Sequence, residues 1–174
     1  MNLFHHAKKY ATSTFVRCFA SHSPALSNWV RSSVHELKKS RFQAYLTRLD
    51  SPDEVPGLID NLLQEKSIKK ATHPTMYAWR TATFEKGKIS HLQQGSHDCR
   101  EGGSGDRILT LLEQIQAINL LVVVTRWYGG TPLGPARFRC ISDVSYESLE
   151  KAGIWKPHDT RGQIRDAANI ILKE

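Results

Sequence analysis

Five consecutive apolar residues, Leu120-Leu121-Val122-Val123-Val124, constrain this chain more than any other feature. The run is strand length, well short of the roughly eighteen apolar residues that a membrane helix needs, so no membrane association is expected. A strand that is apolar at every position must be covered on both faces or lie at the centre of a sheet. Leu120 to Thr125 is therefore the core strand, and the rest of the 174 residues must supply its cover. A chain of this length suffices for one domain with a substantial core.

The cover is visible in the spacing of apolar residues. Arg41 to Leu49 alternates Phe42, Ala44 and Leu46 with polar neighbours, the period of a half-buried strand. Ser51-Pro52-Asp53-Glu54 then offers a cap, a first-turn proline and acids at the positive end of a helix dipole. Val55, Leu58, Ile59, Leu62 and Leu63 give that helix one apolar face as far as about Lys66. Met76 to Phe84 is aromatic and β-branched, and the turn Glu85 to Lys88 leads into a second run from Ile89, which predicts a hairpin. Gln94 to Gly105 holds four glycines and reads as a long loop.

Ser104 is placed to cap a helix with an apolar stripe from Ile108 to Ile118. After the turn-rich segment Gly129 to Pro135, a third helix should run to Lys151 and stop at Gly153. A last helix is predicted over Arg161 to Leu172. The order β-α-β-β-α-β-α implies an α+β fold, a two-layer sandwich of a mixed four-stranded sheet with helices on one face. The domain is expected over residues 36–155, with 156–174 packed on it or trailing.

Charge divides the chain unevenly. Of the net +7, residues 1–35 supply +4 through Lys8, Lys9, Arg17 and Arg31 with no acid, leaving +3 for the remainder. That remainder is too small to establish nucleic-acid binding by charge alone. The acid-free start, rich in Ser, Thr and aromatics, has the composition of a mitochondrial presequence, and Arg17-Cys18-Phe19-Ala20-Ser21 is similar to a matrix cleavage pattern. The other reading is a disordered, mildly basic tail; on either, residues 1 to about 35 should lie outside the domain fold. Cys18, Cys99 and Cys140 are odd in number and scattered, without a CxxC pair, which fits a reducing compartment. His97-Asp98-Cys99 does not make a thiol nucleophile, because adjacent extended residues point to opposite faces.

Several segments together resemble the Impact family: Lys39-Ser40-Arg41-Phe42, then Ala71-Thr72-His73-Pro74 before Tyr77-Ala78-Trp79-Arg80, and above all Val122-Val123-Val124-Thr125-Arg126-Trp127-Tyr128-Gly129-Gly130 followed by Leu133-Gly134-Pro135. The match spans Lys39 to Gly153. The resemblance implies a fold similar to the second domain of small-subunit ribosomal protein five and the fourth domain of elongation factor G. It also implies a non-catalytic module of translational control in the cytoplasm, with RNA, the ribosome, a translation regulator or actin as partner. The alternative location, from the N-terminus, is the mitochondrial matrix. Better-known members carry an N-terminal module that contacts a general-control activator and restrains a kinase; the 38 residues before Lys39 are expected to be too few to build it. The family's loop reads Asp-Asp-Gly-Glu before a small-residue turn, and here Asp98, Glu101, Gly102 and Gly103 correspond while Cys99 and Arg100 depart.

Candidate site residues cluster after the core strand, where open sheets commonly present ligand contacts. Trp127 and Tyr128 can stack on bases and Arg126 can bind phosphate, with Arg137 and Arg139 beyond, in a stretch from Gln114 to Ser142 without an acid. The alternative is that Trp127 and Tyr128 plug the sheet's end while Gly129, Gly130 and Gly134 permit the turn. Asp98 and Glu101 are two carboxylates without further oxygen donors, a poor cation site, and loop acids more often accept from nearby amides. His73, alone before Pro74, reads as structural. No metal or cofactor is expected, and the chain lacks a GxxxxGK loop, an HExxH motif and a Ser-His-Asp order, so no enzyme is expected; a hydrolase dependent on Asp98 or Glu101 is the third alternative after a binding module for RNA and one for protein.

Overall fold

The computed structural model describes residues 28–159 and 162–169. In chain order its elements are β1 (Val30–Arg31), β2 (His35–Leu37), β3 (Ser40–Arg48), α1 (Val55–Leu62), α2 (Lys66–Lys69), β4 (His73–Glu85), β5 (Lys88–His97), α3 (Ser104–Gln114), β6 (Ala117–Ile118), β7 (Leu120–Trp127), α4 (Ala136–Lys151) and β8 (Arg165–Asp166). The larger sheet runs β1-β3-β7-β4-β5, with β2 also on β3, so the core strand lies between two long neighbours.

Register converts the alternating side chains into two cores. Ala44 and Met76 flank Val124, and Leu46 and Ala78 flank Val122; this face packs on Ile108, Leu111 and Leu112 of α3 and on Ile141, Val144 and Leu149 of α4. Tyr45 and Tyr77 flank Val123 on the other face, which α1 covers with Val55, Leu58 and Leu62, joined by Ile68 of α2 and by Trp29. Leu120 to Val124 are fully buried. At about 2 kcal/mol for each such side chain, this strand accounts for a large part of the apolar stabilisation.

The α+β class and the four long strands agree with the sequence reading, while five details differ. Each pairing in the larger sheet is antiparallel rather than mixed, and the only parallel pair among the described residues is β6 with β8. Helices cover both faces, not one, which is why β7 tolerates apolar side chains throughout. The expected loop from Gln94 shrinks to residues 98–103, because β5 pairs with β4 as far as His97. In place of the last helix, Arg165–Asp166 pairs with Ala117–Ile118 and Ala167–Asn169 forms a 3-10 turn; the remainder of that expectation lies outside the described residues.

The fifth correction is the domain boundary at residue 35. Trp29 is buried and its indole N–H donates to Asn61 Oδ1 at 3.3 Å, while Val30 and Arg31 pair with Leu46 and Tyr45. Residues 28–35 therefore belong to the fold. The expected presequence, including Arg17 to Ser21, lies outside the described residues.

Candidate functional site

The end of β7 that carries Arg126 is built by three segments. Antiparallel pairing sets His73 opposite Arg126, the connection from β5 to α3 brings Glu101 over them, and the start of α4 adds Arg137. Local chemistry holds the connection in place. Asp98 caps α3: its two carboxylate oxygens accept from the amides of Gly103 at 3.0 Å and Gly105 at 2.8 Å, and its carbonyl accepts from the Ser104 hydroxyl at 3.0 Å. The residue before the helix is Gly103, with φ +80°, so Ser104 is the first helical residue and not the cap. Cys99 and Arg100 carry φ values of +48° and +64°. Both take the left-handed conformation that costs an L residue about 1 kcal/mol.

Glu101 is the hub. One oxygen lies 2.6 Å from Arg126 Nη1 and 3.0 Å from His73 Nε2, and the other lies 2.7 Å from Arg137 Nε. The carboxylate is 7 % exposed and Arg126 4 %. The other ring nitrogen of His73, Nδ1, lies 3.0 Å from the Cys99 carbonyl. The His73 ring thus lies between the Glu101 carboxylate and the Cys99 carbonyl. The Arg126 guanidinium sits 5.4 Å from the ring centroids of both Phe42 and Tyr128, and Arg137 stacks 4.5 Å above Phe138. Both oxygens of Glu101 are thus engaged by guanidinium groups. Among the described residues there is no group of three or more His, Cys, Asp or Glu placed to hold a metal.

These groups line an open cleft of about 520 Å³, together with Thr72, Arg100, Gly102, Tyr128 and the segment Pro132, Leu133 and Gly134. Of the residues singled out by sequence, Arg126, Tyr128, Arg137, Glu101, Gly102 and Gly134 meet here. Trp127 does not: its side chain points to the opposite face, where the indole N–H donates to the Ser67 carbonyl at 3.0 Å and Arg41 stacks at 5.2 Å. Arg139 is exposed on α4 and does not line the cleft. Gly129 passes so close to the Lys39 and Ser40 backbone that a Cβ has no room, and Gly130 has φ +88°.

Sequence reasoning missed His73 as part of the cluster and Arg100 and Thr72 as wall residues. A lone histidine carries no local signal; only the pairing of β4 with β7 gives it meaning. Arg100 was visible solely as a departure from the loop pattern.

A small α+β domain with an arginine-rich cleft at one end of its sheet is the class these observations define. The model of the Impact N-terminal domain matches residues 38–149, and the chain belongs to the Impact family. It is 40% identical over 156 residues to the IMPACT family member YDL177C of Saccharomyces cerevisiae, an alignment covering 72% of this chain and 92% of that one. Protein IMPACT-B of Xenopus tropicalis is 37% identical over 116 residues, which are 67% of this chain but 35% of that protein. Among solved structures, the two-domain translational regulator Yih1 superposes with a TM-score of 0.51 at 26% identity, covering 85% of this chain and 54% of that one. The chain thus spans about a third of the IMPACT-B length and just over half of Yih1.

Proposed function

We propose that this protein is a non-catalytic binding module of translational control that engages RNA, free or within the ribosome, through the cleft at the end of β7. The observation that carries the reading is charge: three guanidinium groups, of Arg100, Arg126 and Arg137, line a cleft that holds one carboxylate and also presents an exposed tyrosine ring. Guanidinium groups recognise phosphate in planar geometry, and an aromatic face accepts any base. Kinship with a structure described as a translational regulator supports the biological setting. Association with ribosomes and with structured RNA should fall steeply as salt rises, and Arg126→Gln with Arg137→Gln should flatten that slope by about one or two contacts. Absence of binding at low salt, or binding indifferent to salt, overturns the reading.

A protein partner, such as a translation regulator or actin, is the second reading. It is favoured by β5, a ten-residue strand with neither a second strand on its outer edge among the described residues nor much burial, beside Phe84 and Leu92 at 39 % and 45 % exposure. An extended segment can add to such an edge. That association should survive nuclease treatment and fail when Leu92 is changed to Lys.

A further inference from the structure

The cleft holds more positive charge than its own chain neutralises. Arg126 and Arg137 take one oxygen of Glu101 each, and His73 shares the oxygen on Arg126. Arg126 Nε is buried without an acceptor, and Arg137 Nε, although 2.7 Å from Glu101, makes no hydrogen bond either, exceptions that buried guanidinium donors seldom show. Arg100 stands at the rim with neither an ion pair nor a hydrogen bond among the described residues, on a backbone at φ +64° that favours glycine.

We propose that the cleft binds the terminal phosphate monoester of an RNA chain end, with the adjoining base against Tyr128; this rests on the RNA reading above and names the part of the RNA that the site selects. Charge selects the monoester. Near neutral pH it carries about −1.5 to −2, against −1 for an internal phosphodiester, and so matches the two guanidinium charges that Glu101 leaves over. Oxygen count also favours the end. Buried Arg126 and exposed Arg100 both line the cleft, and a terminal phosphate offers three free oxygens to such donors where a phosphate flanked by two sugars offers two. Tyr128, 44 % exposed and already stacked on Arg126, supplies the flat surface that a base uses and a phosphorylated peptide does not require.

The experiment compares one short single-stranded RNA bearing a 5′-phosphate, a 3′-phosphate or hydroxyls at both ends, titrated with the full chain by fluorescence anisotropy. A terminal phosphate should tighten binding by about ten-fold or more, the scale of one or two charge-assisted hydrogen bonds. Arg100→Gly should remove most of that gain. Because glycine suits φ +64°, the variant keeps the fold, and a melting midpoint at or above that of the parent chain verifies it. Adenosine monophosphate should compete better than inorganic phosphate, which separates a nucleotide end from a bare anion. Equal affinity for the three RNAs overturns the proposal. If cleft substitutions then weaken all three alike, the RNA reading stands and only end selection fails; if none of the RNAs binds, both fail. Tighter binding of a phosphothreonine peptide than of any of the RNAs also overturns the nucleotide assignment.

Discussion

Arg80 and Arg126 are buried arginines at opposite ends of the same sheet, and they are satisfied in different ways. Arg80 pairs with Leu120 at the start of β7. Its guanidinium donates to Gln94 Oε1 at 3.0 Å and to the carbonyls of Leu112 and Ala117 at 3.3 and 3.1 Å, closing the C-terminal end of α3. Gln94 in turn donates to Glu113 at 2.6 Å. Burial pushes the Arg80 guanidinium below its ordinary range and Glu113 pushes back. Arg126 shares a single carboxylate with Arg137 and His73, keeps one buried N–H without an acceptor, and faces open space. A cation whose acceptors all come from its own fold is a structural device. On the proposal above, a cation with too few is prepared for something that arrives from outside.

The largest effect should come from the satisfied end. Arg80→Leu removes the donor from two buried carbonyls, and we expect a loss of about 4 kcal/mol, or roughly 10 °C in melting midpoint. Phosphate should restore none of it. Recovery in phosphate would mean that Arg80 also meets an external anion, and the contrast between the two arginines would break.

Next in size is Trp29→Ala, at about 3 kcal/mol by thermal or urea unfolding, for an aromatic side chain that closes the α1 face of the sheet. A chain beginning at Val34 should lose at least as much; an unchanged midpoint would return residues 28–33 to the status of a tail. This residue also marks the limit of what local pattern conveys. The strand Leu120 to Val124 and the helices after Ser104 and Pro135 were legible because their apolar periods are long and regular. β1 is two residues long, too short for any period, and sits in an acid-free segment whose composition points to a tail. The mixed sheet with helices on one face follows from the element order alone, which does not say on which face each helix lies; α1 and α2 cover the face opposite α3 and α4, and the sheet is antiparallel. At the cleft, Arg126, Tyr128 and Arg137 lie close in sequence and were found together. Glu101 and His73 reach them only through strand pairing and a six-residue turn, which local spacing does not encode.

Glu101→Gln tests the under-neutralised end directly. Gln keeps the shape and removes the charge, leaving Arg126 and Arg137 in mutual repulsion beside water. We expect a loss of about 2 kcal/mol, smaller than a fully buried pair because the cleft is open. Here phosphate should recover a large part, through binding to the folded form alone. A loss that is the same in phosphate and in chloride would show that Glu101 serves only the fold, and the two ends of the sheet would no longer differ in kind.

Glu147 provides the smallest effect and the control for Glu101, since it is an acid matched by its own chain. One oxygen accepts from the Ser33 amide at 2.8 Å and lies 2.8 Å from Lys151 Nζ. Burial opposes ionisation, but the hydrogen bonds from Lys151 and Ser33 outweigh it and hold the carboxyl at about 2, below its ordinary 4.5. A carboxyl depressed in the folded state stabilises the fold above its unfolded value. That contribution is complete above pH 4.5 and is lost as pH falls through about 2. Both side chains face solvent, so the contribution at neutral pH is no more than about 1 kcal/mol. Glu147→Gln should therefore melt slightly below the parent chain at pH 7, and the difference should close between pH 4.5 and 2. Phosphate should leave that difference unchanged, because Ser33 and Lys151 already meet the carboxylate and Gln creates no cluster of unpaired cations. If phosphate stabilises the Glu147 variant as much as the Glu101 variant, the response is general to any lost acid, and the cleft has no special claim on an external anion.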